Sequence, residues 1–159
     1  MKIKFQILAL FFISVVFLNA QEDGLPSSKS GKSSSNSFKD VSPDLKQKAQ
    51  KFFNTLLDSK ISEAYDDLLK GSPIKKKVED VKSLNSQTKR AFELYGNIIG
   101  YEPVNAEFVT PSYLRMRYLA LHSRYPMRWI FTFYKSPDQG WIITNVKFDD
   151  LTDYFFSDE

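Results

Sequence analysis

Few side chains in this sequence could do chemistry, and they are scattered. His122 is the single histidine, and there is no cysteine. An imidazole titrates near neutral pH and can act as a general base, but His122 falls at an expected hairpin end, where such a residue is more often solvated or bonded to backbone. One imidazole and some carboxylates do not make a zinc site, which draws on several His or Cys ligands. The C-terminal run FDDLTDYFF sets Asp149, Asp150 and Asp153 close together. Carboxylates at this spacing could bind a hard cation such as calcium, yet the glycine-containing ligand loop of an EF-hand is missing. The other reading is a terminal segment that docks Leu151, Tyr154, Phe155 and Phe156 and turns its acids outward. Lys75, Lys76 and Lys77 open a helical stretch, where positive charge opposes the helix dipole, and read as solvated. Nothing matches a phosphate loop or a nucleophile elbow. No catalytic residue, metal or cofactor is expected.

The elements that would have to position a site come in two halves. The first helical stretch, SPDLKQKAQKFFNTLLDSK, opens with Ser42 as N-cap, Pro43 where a missing N–H costs nothing, and Asp44 where the dipole favours an acid. Leu45, Ala49, Phe52, Phe53, Leu56 and Leu57 share one face. After a break at Asp58-Ser59-Lys60, a second stretch puts Ile61, Ala64, Tyr65, Leu68 and Leu69 in phase, and Gly71 stops it. Ser72-Pro73 begins a third, reaching about Asn97 through Ile74, Val78, Val81, Leu84, Thr88, Ala91 and Tyr95, with a break expected between Ser83 and Ser86 where cap-forming residues cluster. Beyond Gly96 and Gly100 the period becomes two. Strands are expected over 102–109, 113–122, 127–134 and 141–148, separated by TPS, HSRYP and SPDQG. Connections this short require an antiparallel meander, and helices followed by strands in one small domain give an α+β fold.

The two middle strands set their own register. Leu114, Met116, Tyr118 and Ala120 form one apolar stripe, and Met127, Trp129, Phe131 and Phe133 another. A turn at Ser123-Arg124 puts Tyr118 opposite Trp129 and Met116 opposite Phe131, so both stripes share the face that packs on the helices. The reverse face then carries Arg115, Arg117, Leu119, Leu121, Arg128, Ile130, Thr132 and Tyr134. Arginine among aliphatic and aromatic residues is the composition of an interface; the alternative is that these arginines pair with nearby acids on an open sheet. On the last strand Ile142, Thr144, Val146 and Phe148 are expected inward, and Trp141, Ile143 and Asn145 on the mixed face. The candidate binding residues of that face are Arg115, Arg117, Arg128, Ile130, Tyr134 and Trp141.

The N-terminus speaks to compartment. MKIKFQILALFFISVVFLNA has Lys2 and Lys4, an apolar run and a small residue at Ala20, the layout of a secretory signal peptide over 1–20. An uncleaved anchor is the alternative, but the apolar run falls short of the ~20 residues of a spanning helix. Residues 21–41, rich in Ser, Gly and Lys, read as a flexible linker, a tether reaching roughly 25 Å, and 42–159 as the folded domain. An extracytoplasmic protein, periplasmic or secreted, is expected, without stable membrane insertion after cleavage. Cleavage removes two lysines and no acids, so the formal charge of +3 falls to +1. That excludes the basic footprint of nucleic-acid binding.

A first amphipathic helix, a brief break, the EAYDDLL helix, a third helix and a meander ending in GWIITNVKFDD resemble the nuclear transport factor 2-like, cystatin-like α+β superfamily. The resemblance covers about Ser42 to Asp150, although the strand that usually lies between the second and third helices is not evident. It implies an α-α-α-β-β-β-β cone with helices in the concave side of a curved sheet. Enzymes of the superfamily, isomerases, dehydratases and cyclases, place an Asp or His inside that cone beside Tyr or Trp. Tyr118 and Trp129 would line it here, but the inward stripes hold no acid or base. The leading expectation is a noncatalytic module that uses its sheet face to form a homodimer or bind an envelope protein. The alternative is a pocket protein or isomerase-like enzyme for a small apolar or carboxylate ligand.

Overall fold

The structure, a computed structural model, describes residues 37–156; the expected signal peptide and most of the expected linker lie outside the described residues. Helices α1 (Pro43–Leu57), α2 (Ile61–Leu68) and α3 (Val78–Tyr95) precede strands β1 (Ile98–Thr110), β2 (Tyr113–His122), β3 (Met127–Ser136) and β4 (Gly140–Asp149). The strands form one antiparallel sheet in the order β1-β2-β3-β4. It is curved and unclosed, and the helices pack on one of its faces, so the fold is α+β as expected.

The break between α1 and α2 is a backbone motif. The Ser59 amide donates to Leu56 O (2.8 Å) and the Lys60 amide to Thr55 O (3.2 Å), with Ser59 at φ 61°. These are the paired bonds of a Schellman C-cap, here with serine in the left-handed position that glycine usually takes. They satisfy the last carbonyls of α1 and turn the chain so that Ala64, Tyr65 and Leu68 meet the α1 stripe. At the other end of α1, Ser42 occupies the N-cap position but makes no side-chain capping bond. Ser72 does cap, accepting from the Ile74 amide, and its hydroxyl also donates to Ile143 O at 2.6 Å. The segment that follows is a 3₁₀ turn, Pro73–Lys76, rather than the start of α3.

No break interrupts α3. Its cluster of polar residues is absorbed within the helix and against α2: Asn85 donates to Val81 O, Gln87 to the Ser83 hydroxyl and Thr88 to Leu84 O, while Ser62 of α2 donates to Asn85. Side-chain bonds to the preceding turn occupy the groups that would otherwise compete for the backbone.

Register in the middle hairpin is as expected, with Tyr118 opposite Trp129 and Met116 opposite Phe131. β4 departs from strict alternation. Thr132 pairs with Asn145 but Phe133 pairs with Ile143, so Thr144 is an extra residue, and its hydroxyl donates to Thr132 O. This bulge reverses facing on its N-terminal side. Ile143 is fully buried and Trp141 packs toward the core beside Phe108, while Ile142 is registered with Tyr134 on the reverse face. The expected outward placement of Trp141 and Ile143 is thereby corrected, because period-two reading has no way to count an inserted residue.

The domain also begins earlier than Ser42. Phe38 lies in a 3₁₀ turn, Phe38–Asp40, with its ring edge-on to Tyr118 at 5.3 Å, and Val41 is buried in the core. Residues 38–41 therefore belong to the fold, not to the linker, since two apolar side chains three apart suffice to anchor the turn. At the C-terminus the expected docking of aromatics is partial: Tyr154 is half-exposed and Phe156 is 92% exposed. Phe38→Ala is expected to destabilise by about 1–2 kcal/mol, a large part of the ~1.5–3 kcal/mol of a fully buried aromatic, and to lower the melting temperature by several degrees. Phe156→Ala should leave it unchanged. Thermal unfolding followed by circular dichroism compares the two, and a larger loss at Phe156 would contradict this boundary.

Candidate functional site

The reverse face of the sheet is built from cross-strand rows, each read directly from the register. One row runs Asn105, Arg117, Ile130, Lys147 from β1 to β4, the next Glu107, Arg115, Thr132, Asn145, and another Glu102, Leu119, Arg128, Asp149. Opposite charges thus fall on directly opposed positions. The Arg115 guanidinium meets Glu107 at 2.7 Å. Arg128 binds Asp149 through two bonds, Nε to Oδ1 and Nη2 to Oδ2, each 3.0 Å, and its guanidinium lies 4.9 Å from the centre of the Tyr154 ring.

Burial divides the six sequence-derived candidates for this face. Arg128 is only 2% exposed, sealed by Asp149 and the C-terminal turn Thr152–Phe155, and Ile130 is buried between Arg117 and Lys147. Long basic stems lie readily over apolar neighbours while keeping their charge in water. Trp141 is on the other face. Arg115 and Arg117 remain half-exposed, and Tyr134 is exposed beside Tyr113 in a row that ends on Ile142. Leu119 and Leu121, half-buried on β2, complete the accessible apolar part. Both readings of the arginines hold in part: Arg115 and Arg128 pair with acids as on any open sheet, and the surface between them stays mixed.

Of the pocket-lining candidates, Trp129 is wholly packed, stacked on Phe148 at 4.3 Å and tilted against Phe52 at 5.3 Å. Tyr118 packs against Phe53 and Phe131, and reaches the wall of a cleft at the β1 edge together with Phe38 and Tyr101. Burial pushes the Tyr118 phenol well above its usual range. Phe38 and Tyr101 were not legible as partners of Tyr118, since three separate elements bring them together. A lone aromatic in a Ser/Lys-rich run was the one available signal.

His122 continues the inward stripe of β2 instead of facing solvent. Its Nδ1 lies 2.6 Å from Gly96 O, and its ring stands edge-on to Phe92 at 5.5 Å and to Tyr95 at 6.5 Å. Gly96, at φ 85°, ends α3 where a Cβ would meet the Ser123 hydroxyl, so helix end, hairpin turn and imidazole are held as one packed corner. Nε2 is buried without a hydrogen-bond partner among the described residues. Two of the three terminal acids are likewise engaged separately: Asp149 by Arg128, Asp150 by the Tyr95 hydroxyl at 2.6 Å. Lys75 pairs with Asp66, and Lys77 lies 3.7 Å from Asp80. Among the described residues no three His, Asp or Glu side chains gather as a metal site, and no helix is long and apolar enough to cross a membrane. Comparison with known protein families, curated proteins and solved structures finds no match.

Two outcomes test this corner and this face. Burial holds the His122 pKa below its ordinary 6.5, the bond to Gly96 O opposing the shift only in part. The unfolded chain therefore takes up a proton before the folded chain does. This contribution to stability is intact above about pH 6.5 and is lost as pH falls through the lower folded value. His122→Asn, whose amide can keep the bond to Gly96 O, should flatten the melting temperature between about pH 7 and pH 5; an unchanged slope would show that other groups carry it. Asp149→Asn removes the carboxylate that binds the buried Arg128 through two bonds and is expected to cost about 3 kcal/mol. Urea denaturation measures this, and the paired change Arg128→Leu with Asp149→Leu should recover most of the loss.

Proposed function

We propose that this domain is a noncatalytic binding module that associates through the reverse face of its sheet, with a second copy of the same chain as the favoured partner. The observation that carries the reading is the row pattern. Acids Glu102 and Glu107 lie on β1, arginines on β2, and Lys147 on β4, with Leu119, Leu121 and Tyr134 between and beside them. A two-fold axis running along the strands would set β1 of one copy over β4 of the other. Lys147 shares the row of Asn105, so it would face Asn105 and fall between Glu102 and Glu107. Such a surface is self-complementary, as an isologous interface requires.

Element order and sheet curvature support the superfamily resemblance. In place of the strand usual between its second and third helices, this chain has the 3₁₀ turn Pro73–Lys76, tied to the β4 edge through Ser72. The sheet face turned to the helices is filled by rings from α1, α2, β2 and β3, which favours binding outside the cone over chemistry inside it. An extracytoplasmic setting follows from the N-terminal sequence and belongs to the same proposal.

Light scattering across a concentration series tests the dimer. Lys147→Glu or Glu102→Lys should each weaken association at least tenfold, and the double exchange should restore it. A monomer at all concentrations, or two single variants indistinguishable from the parent, would defeat the proposal.

A further inference from the structure

A cleft of about 280 Å³ lies at the β1 edge, away from the rows of the sheet face. Its walls are aromatic and rigid. The Phe38 ring stands edge-on to Tyr118, and Tyr101 is stacked on Phe53 with centroids 4.6 Å apart, its hydroxyl donating to Asn54. Pro103, held in β1 opposite Tyr118, adds a surface without an N–H. Three separate elements therefore hold one apolar slot in a fixed shape, which lowers the ordering cost of filling it.

The charge around the slot has one sign. Lys39 and Lys46 line it, and neither forms an ion pair among the described residues, whereas Lys51, Lys60, Lys75 and Lys77 each lie within 4 Å of a carboxylate. Tyr118 also lines the cleft, and its hydroxyl makes no hydrogen bond among the described residues, so the lining residues include one uncommitted phenol donor and two ammonium groups. A phenol donates strongly to a carboxylate, and ammonium groups attract one without fixing its geometry.

We infer that this cleft binds a small carboxylate with an apolar body, an aryl or short alkyl acid, its body between Phe38, Tyr101 and Pro103 and its carboxylate held by Lys39, Lys46 and the Tyr118 hydroxyl. The volume suits a single ring on a short chain, below the size of most drug-like ligands. The site uses none of the residues assigned to self-association and stands whether or not the sheet face dimerises. It also gives the turn Phe38–Asp40 a role, since that turn contributes both a wall and a charge.

Titration of the full chain with 4-phenylbutyrate, and with 4-phenylbutanol as its uncharged counterpart, tests the assignment. Aromatic ring signals are followed by NMR. The acid should move the rings of Phe38, Tyr101 and Tyr118 first, and bind at least tenfold more tightly than the alcohol. The double variant Lys39→Gln, Lys46→Gln should erase that preference, and Tyr118→Phe, which keeps the ring and its packing, should weaken the acid several-fold and leave the alcohol unaffected. Equal affinity for acid and alcohol, a preference that survives the lysine changes, or unmoved rings at about 10 mM acid would overturn the proposal.

Discussion

The packing of α1 on the middle hairpin is the contact on which the rest of this structure depends. Phe52 sits 5.3 to 5.4 Å from the rings of Phe53, Tyr65, Trp129 and Phe131 at steep angles. Edge-to-face rings at these separations add directional attraction to the area they remove from water. Because one side chain touches α2 and β3 at once, the orientation of the helical corner and the register of the sheet are set against each other. A slip of one residue in β3 would take Trp129 and Phe131 off this face and leave Phe52 without partners. The chain has no cysteine, so no disulfide supplements this packing.

Polar groups around that core are placed by the same geometry. Tyr65 is buried and keeps its hydroxyl on Thr88 at 2.7 Å, and Thr88 in turn donates to Leu84 O, which ties α2 to α3. Burial pushes the Tyr65 phenol well above its usual range, so it stays protonated. At the sheet edges the logic is protective. Ser72 bonds to Ile143 O on β4, while β1 carries three register shifts that leave Ile99, Val104 and Val109 unpaired with β2 and exposed. A repeatedly bulged edge is a poor template for another strand. Addition of a further strand along the β1 edge is therefore disfavoured.

Much of this was legible before any coordinates. Helical stripes through Phe52 and Phe53 and through Ala64 and Tyr65, the alternating stripes of β2 and β3, and the short loops between strands determined an α+β order and the central register. They did so because a buried face imposes its period on the sequence that fills it. The composition of the reverse face was legible for the same reason, since its residues are what remains between the apolar ones.

Only the tertiary structure decided what required counting contacts between distant segments. The bulge at Thr144 moved Trp141 from the outer face to the inner, and a bulge has no residue signature in a run such as WIITNV. Partnering absorbed Arg128, because Asp149 and Tyr154 come from twenty and more residues away and close over it together. Phe38 reads as linker by composition, yet it finds Tyr118 some eighty positions on, and the slot they share with Tyr101 exists only once α1 and β1 are side by side. Local periodicity sets which face a residue takes; which neighbour it meets there depends on how the elements dock, and that is a property of the packed whole.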